Sequence, residues 1–232
     1  MMLLRSYRLL LLLSMVLGVA GCSLLPQAPL YQLDGGTLKA PSARTGVVLL
    51  LGPLTLAQYL QREVILQRQT DGSLTETDAH WAGSLQEDID HLLQRQLASR
   101  LHTPYVLSTA SSGLPADAQL LVTISRLDSG PQQPAVLHAQ WRLLDKNGQL
   151  REQRLLQLEQ THSDSLASQV QAQSRLLQQL AEQLAVDVSE FSRQSAGNAS
   201  GTRPVPPLPR KSVPTPKPPT TPATGAAEVY RF

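Results

Sequence analysis

Apolar residues recur at helical spacing in two stretches of the chain, and they alternate or run together in the stretches between. Leu85, Ile89, Leu92, Leu93, Leu97 and Leu101 follow one helical face. Ser84 and Glu87 stand before that face as an S-x-x-E capping box. Glu87, Asp88 and Asp90 crowd its start and Arg95 and Arg100 its end, as the helix dipole favours, so a helix is predicted over 84–101. Leu166, Val170, Leu177, Leu180, Leu184, Val188 and Phe191 mark a second, longer helix, capped by Asp164 or Ser165.

The remaining patterns read as strands. GVVLLL at 46–51 is a short apolar run bounded by glycine and Gly52-Pro53, the signature of a buried strand. EVILQR at 63–68 predicts another, with Thr70-Asp71-Gly72 turning it back into 73–76. A turn of helix is predicted over 56–60, and a first strand near Tyr31 and Leu33. Residues 105–108 predict a short strand. Leu120, Val122 and Ile124 share one face of the next strand. Ala135, Leu137, Ala139, Trp141 and Leu143 alternate with His138, Gln140 and Arg142. Asn147-Gly148 then supplies the positive φ angles of a tight turn into a returning strand over 149–160. The expected fold is α+β: a mainly antiparallel sheet, one face wet, with two long helices packed on the other, in a single domain over 31–192.

The two ends differ from this domain. Arg5 and Arg8 precede an apolar run of about a dozen residues, shorter than the roughly 20 of a membrane-crossing helix. The run ends in Val19-Ala20-Gly21-Cys22, so residues 1–21 read as a signal peptide. Val19, Ala20, Gly21 and Cys22 together resemble the bacterial lipobox. In such signals the thiol carries diacylglycerol, the chain is cut before the cysteine, and the new amino end is acylated. That makes Cys22 the expected lipidation site and the membrane a partner through the anchor, with 22–30 as tether. Cys22 is also the only cysteine, so a lipid there excludes disulfides and thiol chemistry. From 193 the chain turns basic and rich in proline, with nine prolines between Pro204 and Pro222. Residues 193–232 are read as an extended, disordered tail.

Charge follows the same division. Residues 23–192 hold 12 Lys+Arg and 17 Asp+Glu, a net of −5; residues 193–232 hold 6 and 1, a net of +5. An acidic domain lacks the basic patch of a nucleic-acid binder. No G-x-S-x-G, phosphate loop or H-E-x-x-H is present. The five histidines are scattered, and His91 and His102 lie too far along one helix to share a metal. The expectation is a binding or scaffolding protein, not an enzyme, with no metal and no cofactor beyond the lipid on Cys22.

Three segments carry a resemblance. LGPLTLAQYLQREVI at 51–65, HWAGSL at 80–85 and AQWRL at 139–143 with its DKNG turn resemble the ABC-type transport auxiliary lipoprotein family, of the PqiC (YmbA) kind. The likeness covers roughly 31–191. Gly83-Ser84 departs from the Glu-Pro pair common after Trp-Ala in that family. The resemblance implies an accessory subunit of an MCE-type system moving lipid between the two membranes of a Gram-negative envelope. It implies a tube protein of the PqiB type as partner and a homo-oligomer matching a ring. Ser23, where an inner-membrane lipoprotein usually has Asp, implies outer-membrane sorting, on the periplasmic face. A structural envelope lipoprotein bound to cell wall or an assembly machine is the alternative. Tyr59, Leu60 and Arg62 lie in an irregular stretch between strands and are the candidate partner-binding residues. The competing expectation is that Tyr59 and Leu60 cover an edge of the core.

Overall fold

The computed structural model describes residues 27–38, 46–108 and 115–200, with side chains through Ser195. The lipobox, Val19 to Cys22, and residues 201–232 of the tail lie outside the described residues. In chain order the elements are β1 (Leu30–Tyr31), β2 (Leu49–Leu51), β3 (Thr55–Leu56), a 3-10 turn (Gln58–Gln61), β4 (Val64–Arg68), β5 (Leu74–Trp81), α1 (Leu85–Arg100), β6 (Val106–Ser108), β7 (Ala118–Gly130), β8 (Gln133–Asp145), β9 (Leu150–Gln160) and α2 (Leu166–Ser200).

They build an α+β fold with two sheets. The larger runs β6-β2-β7-β8-β9, with β3 continuing beside β7; the smaller runs β1-β5-β4. The long β7-β8-β9 meander is antiparallel, as expected. The short strand β2 is inserted between β6 and β7 and runs parallel to both. Its three residues, all Leu, are buried or half-buried, as befits a strand covered on both sides. β1 likewise runs parallel to β5.

Both helices pack together on one face of the large sheet. Ile89, Leu92, Leu93 and Leu97 of α1 meet Leu176, Leu177, Leu180 and Leu184 of α2 in one core with Leu120, Ile124, Leu137, Trp141 and Leu143. Trp81 and Trp141 are core residues, not surface platforms. Each large aliphatic side chain fully buried there contributes about 1.5–3 kcal/mol.

The helix ends follow local chemistry. The Ser84 hydroxyl accepts the Glu87 N–H at 3.3 Å. Ser165, rather than Asp164, caps α2 by accepting the Ser168 N–H at 3.3 Å. α1 stops in a Schellman turn: the N–H groups of His102 and Thr103 reach back to the carbonyls of Ser99 and Ala98. His102 holds the left-handed position, with φ 52°, where glycine is usual.

Two local expectations change. The 146–148 turn has a positive φ at Gly148 but not at Asn147. Asp145 donates its N–H to the Gln149 carbonyl, and Gly148 donates back to Asp145, so the loop has three residues, with glycine at the left-handed position. The Asp145 carboxylate also accepts the N–H groups of Asn147 and Gln149, which replaces the conformational bias of a two-residue Asn-Gly turn. Second, α2 continues past Phe191 to Ser200, so the first eight residues of the basic tail segment are helical. Extending a formed helix adds a hydrogen bond per residue, and no proline stands between Phe191 and Pro204.

Candidate functional site

The stretch between β3 and β4 separates the three candidate partner-binding residues. The 3-10 turn directs Leu60 into the core, where it is buried. Tyr59 is half-buried and turns its phenol inward, donating to Asp128 Oδ2 at 2.9 Å while accepting the Leu127 N–H at 3.2 Å. Burial, with the Asp128 charge second, pushes its pKa up to about 12. Arg62 alone of the three is exposed, and it pairs with Glu76 across the small sheet. Tyr59 and Leu60 therefore take the core role that competed with a docking role, and Arg62 remains on the surface.

The partner of Tyr59 organises the whole junction between the sheets. Asp128 is 1 % exposed near the end of β7. Arg68 of β4 grips it with Nε at 2.9 Å and Nη2 at 2.6 Å, and Arg126 Nε adds a third contact at 2.9 Å. Burial alone would raise this carboxyl's pKa; the hydrogen bonds from Arg68, Arg126 and Tyr59 more than offset it and hold it below the usual range. The next residue, Ser129, accepts from Gln173 at 2.9 Å and donates to Gln169 at 3.3 Å, and Gln67 of β4 also reaches Gln169 at 3.0 Å. The third, Gly130, lies so close to β4 that a Cβ there would sit 1.9 Å from the Arg68 carbonyl oxygen. Asp128-Ser129-Gly130 thus ties β4, β7 and α2 together. The signal available in the sequence was an aspartate directly following the apolar run of a strand, with arginines at Arg68 and Arg126 to match it.

A second buried carboxylate lies at the other end. Asp187 of α2 accepts the Trp141 indole N–H at 2.9 Å, and its other oxygen faces Arg154 of β9 at 3.4 Å without a hydrogen bond. Desolvation first, and Glu152 and Glu190 nearby, raise its pKa.

A cleft of about 760 Å³ opens among the described residues where the late turns of α2 pass the β8-β9 turn. Val47 and Phe191 form its apolar floor, and Asp117, Lys146, Arg151 and Ser195 its polar walls. A cleft of this volume is large enough for a small ligand or a peptide side chain. Asp145 and Arg151, paired at 2.6 Å, close one side. Among the described residues no group of three or more His, Cys, Asp or Glu side chains is arranged to hold a metal. No described helix is long and apolar enough to cross a membrane.

The fold thus sets two helices on one face of the large sheet, an ionic junction between the sheets and an open cleft beside the β8-β9 turn. Residues 31–185 match the family model of the ABC-type transport auxiliary lipoprotein component, and the chain belongs to that family. No curated protein matches the sequence. Among solved structures, protein XCC0632 from Xanthomonas campestris, of family DUF330, is similar with a TM-score of 0.62 and 17 % identity, over 73 % of this chain and 99 % of that one. An uncharacterised protein is similar with a TM-score of 0.58 and 20 % identity, over 70 % of this chain and 99 % of that one. At such identities the likeness shows the fold alone.

Proposed function

We propose that this protein is a lipid-anchored subunit on the periplasmic face of the outer membrane, accessory to an MCE-type lipid carrier between the membranes. In this reading Cys22 carries the lipid, and the folded domain docks a tube protein of the PqiB type. The observation that carries the reading is the family match over residues 31–185. The lipobox-like Val19 to Cys22 supports it, because it places an anchor only a few residues before that match. Neither catalysis nor a cofactor is needed: the domain supplies a rigid surface.

In-cell crosslinking followed by identification of captured proteins tests the partner. An MCE-domain protein among the captured partners is the expected result; capture of cell-wall fragments or assembly proteins alone would sink the transport role. Replacing Cys22 by Ala tests the anchor separately. Each buried lipid methylene contributes about 0.8 kcal/mol, so losing the acyl chains should release the protein from outer membranes after a high-salt wash.

A further inference from the structure

The chain enters the fold at one end and leaves it at the other. β1 runs parallel to β5, and the Pro29 carbonyl accepts the His80 N–H, so the tether leads back towards the β4-β5 turn. Trp81, next to this entry, lines a small cavity with Gln173 in the early turns of α2. The cleft beside the β8-β9 turn is lined instead by Phe191 and Ser195 of the late turns. From Gln173 to Ser195 an α-helix rises about 33 Å. The tether from Cys22 to Pro29 can span at most about 25 Å. A lipid on Cys22 therefore holds the entry end near the membrane, and the cleft stands at the end directed away from it.

We propose that this far end is the face that docks the tube protein, through an acidic protein surface that seats an apolar side chain in the cleft. The inference rests on the transport reading above and adds to it the surface and its chemistry. A partner that arrives from the opposite membrane meets the far end first. Val47 and Phe191, both half-buried, give the cleft an apolar floor for one inserted side chain. Its two carboxylates are already engaged within the domain: Asp117 accepts the Val48 N–H at 2.9 Å, and Asp145 accepts two backbone N–H groups and Arg151. What the end turns outward is positive. Lys146 is exposed on the β8-β9 turn and Arg193 on α2, and the segment 193–232, with its net charge of +5, begins on these same turns. Complementary charge speeds the encounter with an acidic partner and selects against a basic one.

The test places a photocrosslinking amino acid at single exposed positions of the full-length chain in cells. Asn147 and Ser195 sit at the cleft; Gln132, in the β7-β8 turn beside β4, sits at the entry end. An MCE-domain protein should be captured from Asn147 and Ser195 and not from Gln132. Lys146→Glu should lower its capture at Ser195 by about fivefold or more while melting stays unchanged. Capture from Gln132 as well or instead, lipid adducts at Asn147 or Ser195, or capture that Lys146→Glu leaves intact would each overturn the proposal. If general crosslinking captures an MCE-domain protein that neither cleft position reaches, the docking face is wrong and the transport reading stands. If general crosslinking captures none, both fall.

Discussion

Asp128 and Asp187 are equally buried, each 1 % exposed, yet they are treated in opposite ways. Asp128 takes donors from two arginines and a tyrosine on both oxygens, and its charge is favoured. Asp187 takes one indole N–H, leaves an oxygen without a hydrogen bond, and shares its one arginine with Glu152. A buried charge is tolerable when its lone pairs are filled and costly when they are not. The junction between sheets is therefore a permanent bond between elements, whereas α2 rests on β9 through a contact that its own burial weakens.

Removing the well-held charge should have the largest effect. Asp128→Ala strands two arginines and a tyrosine, and should lower unfolding free energy by about 3–5 kcal/mol in chemical denaturation. Tyr59→Phe removes one donor to Asp128 and leaves the Leu127 N–H without its acceptor, for about 1–2 kcal/mol. If it instead abolished partner capture without touching stability, the core assignment of Tyr59 would be wrong.

Asp187→Asn should cost no more than about 1 kcal/mol at neutral pH, because an amide oxygen can still accept from Trp141. The pH arms separate the two sites by sign. The raised pKa of Asp187 means the folded state binds more protons there, so its contribution is fully present below the unfolded value of about 3.9 and is lost as pH rises through the folded pKa. The depressed pKa of Asp128 means its contribution is present above about 3.9 and is lost as pH falls through the folded pKa. Stability of wild type relative to Asp187→Asn should thus improve as pH is lowered from neutral towards 4. The advantage over Asp128→Ala should persist to pH 4 and shrink only below it. Parallel pH curves for the two pairs would erase the distinction. The smallest effect is expected at the surface: Arg62→Ala breaks an exposed pair and should change melting by no more than about 0.5 kcal/mol equivalent.

The parts of the fold legible in the sequence were those written in local periodicity. The stripes of α1 and α2 and the alternation of β8 depend on residues a few positions apart, and each stands where its pattern places it. β2 did not reveal its parallel neighbours, because Leu49–Leu51 reads the same in any buried strand. Tyr59 looked like an interface aromatic because its acceptor lies 69 residues later in the chain. Arg68 and Asp128, 60 residues apart, are linked only by the crossing of β4 over β7. The end of α2 was set too early because the apolar stripe stops at Phe191, whereas the backbone needs no stripe to add two more turns. The lipobox, legible as a motif, lies outside the described residues.

The insertion of β2 also has a consequence in time. When Leu49–Leu51 has been made, neither of its strand partners exists: Val106–Ser108 comes more than fifty residues later and Ala118–Leu120 later still. The first half of the domain must therefore wait with an apolar strand open on both edges, while α1 and the β4-β5 hairpin can form from local contacts. Closing such distant pairings is slow, and the exposed edge invites misassembly in the interval. A domain that cannot complete this sheet until its second half arrives stays open until then.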